Sequence, residues 1–183
     1  LTSGLISLSA KNARSVEELS ADLRSRLKAL ADAHALTLPD LRQNQRAGSS
    51  TTVAALLEAI LSPHEFEQAP RITITGSDAA LSGKALTSFA LLVHELATNA
   101  AKYGVLGPVD GQLDVTWTRE GDEKIALVWN ETHDAPVEPD RAGTGFGSTL
   151  IQLSATQLNG AIDVEFDGNC RRMTLTYAPE DAV

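Results

Sequence analysis

One stretch near the middle of the chain constrains everything around it: His94-Glu95-Leu96-Ala97-Thr98-Asn99-Ala100-Ala101-Lys102-Tyr103-Gly104. Upstream and within it, Leu86, Phe89, Val93, Leu96 and Ala100 recur three and four residues apart. That is the spacing of one buried helix face, and it predicts a helix from about Gly83 to Tyr103, closed by Gly104 acting as a left-handed cap. The opposite face is chemical. Glu95 and Asn99 are four residues apart and Lys102 follows three later, so a carboxylate, an amide and an ammonium stack along one rim. An amide oxygen is a hard ligand for Mg²⁺, which takes few protein ligands and completes its shell with phosphate oxygens and water, and an ammonium is a point charge for phosphate. The rim therefore suits a metal-bridged polyphosphate.

Two further stretches stand downstream in order: Trp129-Asn130-Glu131, and Gly143-Thr144-Gly145-Phe146-Gly147-Ser148-Thr149-Leu150-Ile151. With these, the 94–104 segment resembles the N-box of the ATP-binding domain of histidine kinases. The leading His94, the tryptophan-x-glutamate motif and the glycine-rich lid end are similar to those of the HWE subgroup. The resemblance covers nearly the whole chain and implies the Bergerat fold shared with gyrase-type and chaperone-type ATPases. It also implies ATP and Mg²⁺ as ligands, a response regulator as partner, and a homodimer through a helical hairpin in the intact protein.

The flanking sequence gives that expectation a layout. Ser15-Val16-Glu17-Glu18 has the form of a capping box, in which two side chains satisfy free backbone amides at a helix start. Val16, Leu19, Leu23, Leu27 and Leu30 then make a seam for packing on another helix, with Leu1 to about residue 12 as its antiparallel neighbour. Residues 1–37 are expected to be part of a dimerisation and phosphotransfer hairpin, 38–52 a connector with Pro39, Asn44 and Gly48, and 53–183 the catalytic domain. His34 continues the seam and reads as structural. The resemblance places the phosphorylated histidine in the first helix, yet no histidine precedes His34, and position 1 is leucine. The expectation is a fragment that starts just after its acceptor, lacks the N-terminal sensor and does not autophosphorylate by itself.

Within the catalytic part, Thr51 or Thr52 caps a helix through Leu61 that ends at Ser62-Pro63, and Arg71–Thr75 alternates as a strand. Gln112–Thr118 and Ile125–Trp129 alternate as a hairpin, residues 133–147 read as a mobile loop, and Ser148–Leu158 as a helix. Ile162-Val164-Phe166 and Met173-Leu175-Tyr177 mark two strands turning at Asp167-Gly168-Asn169. Strands gathered beside helices, joined by hairpins, indicate an α+β two-layer sandwich.

Each candidate has a role under this reading. Asn99 is the Mg²⁺ ligand. Glu95 orients a metal-bound water or serves as general base toward the accepting imidazole. Lys102 sits on phosphate and Tyr103 offers its ring to adenine. His94 points about 100° away from Glu95 around the helix and either lines the cleft or packs behind it. Glu131, at a strand end, can accept the adenine amino proton. Where the subgroup has a Gly-Gly or similar pair, this chain has His133-Asp134-Ala135-Pro136, which makes Asp134 a competing adenine contact. Trp129 reads as core. Gly143, Gly145 and Gly147, with Phe146 between them and Ser148 opening the next helix, let backbone amides and a helix N-terminus approach phosphate.

Composition trims the alternatives. The net charge of −9 argues against a nucleic-acid partner, since counterion-release binding needs clustered Lys and Arg. Cys170 is the only cysteine, so no disulfide forms within the chain, and a cytoplasmic location is expected. No apolar run approaches the roughly 20 residues that span a bilayer. The function these readings converge on is phosphoryl transfer from Mg-ATP to a histidine, then to a response-regulator aspartate. The alternative is a non-catalytic nucleotide-binding phosphorelay adaptor on the same fold.

Overall fold

The computed structural model describes residues 15–37, 50–65, 71–77, 79–107, 109–120, 124–136 and 146–178. Its elements are α1 (Val16–Ala35), β1 (Ser50–Thr52), α2 (Val53–Leu61), β2 (Ile72–Gly76), β3 (Ala80–Ser82), α3 (Gly83–Tyr103), β4 (Gly111–Glu120), β5 (Lys124–His133), α4 (Phe146–Gln157), β6 (Ala161–Asp167) and β7 (Cys170–Tyr177).

Five strands form one sheet in the order β2-β4-β5-β7-β6, with β2 parallel to β4 and every other pair antiparallel. The central strand β5 alternates strictly. Ile125, Leu127, Trp129, Glu131 and His133 are buried, while the residues between them are half-buried. That period-2 pattern covers one face of the sheet with α2, α3 and α4. Leu56, Leu57, Phe89, Val93, Leu96 and Ile151 from the helices join Leu113, Val115, Trp129 and Leu175 from the strands in one core. The other face is threonine-rich, with Thr116, Thr118 and Thr73 exposed, as an antiparallel sheet with one wet side allows. The α+β two-layer sandwich expected from the sequence is the observed architecture.

Capping follows the sequence. Ser15 Oγ accepts from Glu18 N at 3.1 Å, and Thr52 Oγ1 accepts from Ala55 N at 3.1 Å. Helix α3 has the bounds its periodicity predicts. Three features differ. Residues 50–52, placed in the connector, form β1 and pair with the unforeseen β3; three-residue strands carry too little alternation to be seen. Helix α4 starts at Phe146 instead of Ser148, so Gly147 lies in its first turn. Gly104 is absent from the positive-φ glycines and is no left-handed cap. It is needed because a Cβ there would stand 2.2 Å from Glu131 Oε2.

Helix α1 lies against α3, but not by its leucine seam alone. Arg26, Ala29 and Ala33 are its buried residues, and they are rotated about a quarter turn from the seam at 100° per residue. Leu23 and Leu30 pack on Leu91 and Leu150, whereas Val16 and Leu27 are 76% and 51% exposed. His34, on that outer stripe, is exposed, with Nε2 3.4 Å from Thr87 Oγ1. The expected neighbour helix, residues 1–12, falls outside the described residues. No described helix is long and apolar enough to cross a membrane.

Candidate functional site

The apolar face of α3 buries Leu86, Phe89, Val93, Leu96 and Ala100 in the core. That orientation fixes where the polar rim points. Asn99 is half-buried, and its side chain makes no hydrogen bond among the described residues. Lys102 and Tyr103 are exposed, Tyr103 at 76%. The first turn of α4 meets this rim. A Cβ on Gly147 would lie 3.3 Å from Asn99 Nδ2, 3.3 Å from Asn99 Oδ1 and 3.3 Å from Glu95 Oε2. The α4 backbone thus comes close enough that even a methyl at 147 would press on both side chains. The helix N-terminus, with its positive dipole end, is thereby set over an amide and a carboxylate.

Glu95 is not open to solvent. It is 3% exposed, and its two oxygens accept from one guanidinium: Arg26 Nε donates to Oε1 at 2.7 Å and Arg26 Nη2 to Oε2 at 3.1 Å. Arg26 Nη1 also stands 3.4 Å from Asp22 Oδ2 one turn earlier on α1. Beside this pair, Ser25 Oγ is 3.1 Å from His94 Nε2. His94 therefore packs between α1 and α3. Its burial pushes the imidazole pKa below the ordinary value; Glu95 opposes that shift, and Arg26, His64 and Lys102 reinforce it.

A second polar cluster sits at the end of β5. Glu131 is 1% exposed; its Oε1 accepts from Trp129 Nε1 at 3.0 Å and from Arg171 Nη1 at 3.1 Å. Its Oε2 is buried with no hydrogen-bond partner among the described residues, as is His133 Nε2, 3.9 Å away. Trp129, at 1% exposure, is core as expected, and its indole N–H is used on Glu131. Asp134 is exposed, and its backbone N donates to Asp110 O at 3.2 Å. Gly143, Gly145 and the side chain of Phe146 lie outside what is described. Ser148 is half-buried in the first turn of α4.

Thus Glu95, Asn99 and Gly147 are brought together, Lys102 and Tyr103 lie at the exposed end of the same helix, and Glu131 belongs to a separate buried network. Sequence reasoning missed Arg26, Ser25, His133 and Arg171. Arg171 left a signal: it alternates with Met173 and Leu175 on the inward face of β7, where a cation needs a buried anion. Arg26 left none, since its partner is 69 residues away.

Among the described residues no group of three His, Cys, Asp or Glu side chains could hold a metal ion. Magnesium does not require one: a single amide oxygen, with phosphates and waters, is a normal protein share of its shell. Asn99 Oδ1 fits that share.

Residues 1–78 match the family model for HWE histidine kinase. Blue-light-activated histidine kinase 1 of Erythrobacter litoralis is 32% identical over 164 residues, which is 88% of this chain and 44% of that protein. The blue-light-activated histidine kinase of Brucella ovis is 30% identical over 160 residues, 85% of this chain and 31% of that protein. The chain thus spans less than half the length of these curated relatives. The fold is shared with the histidine kinase domain of the Erythrobacter litoralis EL346 blue-light-activated histidine kinase, at TM-score 0.63 and 13% identity, over 96% of this chain and 92% of that one. It is also shared with the Acinetobacter baumannii histidine kinase AdeS, at TM-score 0.57 and 16% identity, over 91% and 81%. The motifs, the fold and these relationships together place the chain in the histidine kinase domain family, with the HWE type.

Proposed function

We propose that residues 53–183 are the ATP-binding catalytic unit of a sensor histidine kinase, and that residues 1–37 belong to its dimerisation and phosphotransfer hairpin. The observation that carries this reading is the seating of Gly147, at the α4 N-terminus, on Asn99 and Glu95. Backbone amides, a helix dipole and a carboxamide with no partner among the described residues then converge where a triphosphate with its cation is best stabilised. Asn99 Oδ1 holds Mg²⁺, which when bound neutralises phosphate charge. Lys102 supplies a further positive charge from the helix end. Glu131 Oε2, a buried acceptor lacking a donor, is assigned to the adenine amino group in preference to Asp134, whose acceptors are already in water. Reaching Glu131 requires the turn at Gly104 to move aside.

The reaction is phosphoryl transfer from ATP to a histidine of the hairpin, then to an aspartate of a response regulator, with a homodimer in the intact protein. Little covalent chemistry falls to the protein in such a transfer. Its share is positioning, charge stabilisation and exclusion of water.

One observation favours the second reading, a nucleotide-binding adaptor without catalysis: Arg26 pairs with both oxygens of the Glu95 carboxylate. The test is titration of the chain with ATP, with and without Mg²⁺, followed by mixing with a separate domain that carries the first-helix histidine. A kinase labels that histidine, whereas an adaptor binds and does not transfer. Asn99→Ala should weaken binding far more with Mg²⁺ than in EDTA. Equal losses in both would remove the metal role.

A further inference from the structure

We propose that Arg26 is a positioning residue that controls whether Glu95 is available to the nucleotide site, so that the docking of α1 and the binding of Mg-ATP oppose one another. The inference rests on the Mg-ATP reading of the Glu95 and Asn99 rim. Both members of the pair are almost wholly buried, with side chains 7% and 3% exposed. Their two hydrogen bonds use both carboxylate oxygens at once. Each oxygen keeps a second lone pair, but the guanidinium offsets the carboxylate charge that would attract a hydrated magnesium ion. Arg26 and the magnesium-nucleotide therefore compete for the charge of Glu95.

The pair is not needed as glue. Ala29 and Ala33 bring α1 close to α3, and Leu23 and Leu30 pack on Leu91 and Leu150. A buried ion pair adds little to such a contact, because the cost of stripping water from two charges offsets most of their attraction. What the pair does add is dependence on position: lifting α1 removes a guanidinium from the rim. The coupling extends to α4. Leu150, held by α1, lies on the same helix three residues after Gly147, which rests on Asn99 and Glu95. Any force that shifts α1 is then read at both walls of the site. By linkage, magnesium-nucleotide loosens α1 by the same factor that freeing α1 tightens magnesium-nucleotide.

The test begins with the unaltered chain. Hydrogen exchange across residues 22–33 is followed with no ligand, with ATP in EDTA and with Mg-ATP. Protection of α1 falls several-fold with Mg-ATP only. Two variants then probe the reverse direction. Arg26→Gln removes the guanidinium, and Ala33→Asp undocks α1 while leaving both partners of the pair in place. Each raises Mg-ATP affinity by roughly 5- to 10-fold, within the usual range of coupling between sites, and changes affinity for ATP in EDTA by a clearly smaller factor. Unchanged or increased α1 protection on adding Mg-ATP overturns the proposal. So does wild-type or weaker Mg-ATP binding in both variants. Either result with a normal magnesium dependence sinks the control of Glu95 alone; wild-type binding that ignores magnesium sinks the metal-site reading with it.

Discussion

Gly147→Ala separates fold from function at the point where the two helices meet. Gly147 lies in the first turn of α4 and is not among the positive-φ glycines, so alanine is conformationally permitted there. Replacing a helical glycine with alanine stabilises by up to about 1 kcal/mol through backbone entropy. The new methyl would stand 3.3 Å from both Asn99 side-chain polar atoms and from Glu95 Oε2, so these neighbours need to give way by only a few tenths of an ångström. In the ligand-free protein the two effects leave stability unchanged or raised by up to about 1 kcal/mol. For a chain of this size that is a Tm increase of roughly 2–4 °C at most. With nucleotide the balance reverses. The methyl takes the space between the α4 amides and the Asn99 carboxamide, and losing one charge-assisted backbone contact costs about 1.5 kcal/mol or more, on the order of tenfold in Kd. The assay pairs thermal unfolding with calorimetric titration of Mg-ATP. A variant with wild-type affinity would refute the placement of phosphate at this junction, whatever its Tm.

Other expectations follow from single contacts. Gly104→Ala puts a methyl 2.2 Å from Glu131 Oε2 and 3.1 Å from Ala100 Cα; denaturant unfolding should show a loss of about 2–4 kcal/mol from overpacking and a disturbed charged hydrogen bond. In a Glu131→Ala background that loss should shrink, and an undiminished loss would mean the clash lies elsewhere. Thr52→Ala removes the acceptor for Ala55 N and should cost about 1 kcal/mol, with Thr52→Ser close to wild type in the same assay. His94 has a folded-state pKa below its unfolded value of 6.5, chiefly from burial. Its contribution to stability is therefore present above pH 6.5 and is lost as pH falls through the lowered folded value. A pH series of denaturation midpoints should fall less steeply on the acid side for His94→Gln, and identical slopes would show that His94 does not titrate in that window.

Local pattern was enough to determine much of this protein. Apolar spacing fixes α3, because a buried stripe of leucines and alanines has one helical solution, and it simultaneously turns Asn99 outward. Alternation fixes β4, β5 and β7, and the side chains Ser15 and Thr52 announce the helix starts they cap. Arg171 was missed, although its alternation with Met173 and Leu175 put a cation on an apolar face. Tertiary structure alone decided the rest. The need for glycine at 104 comes from a carboxylate 27 positions later, not from its own backbone. The freedom of Glu95 is taken by Arg26, 69 positions earlier, and the face α1 buries is about a quarter turn from its leucines. The physical reason is common to all three. Periodicity reports how a residue sits on its own element, whereas an ion pair or a close approach depends on which other element arrives opposite it, and no local spacing encodes that.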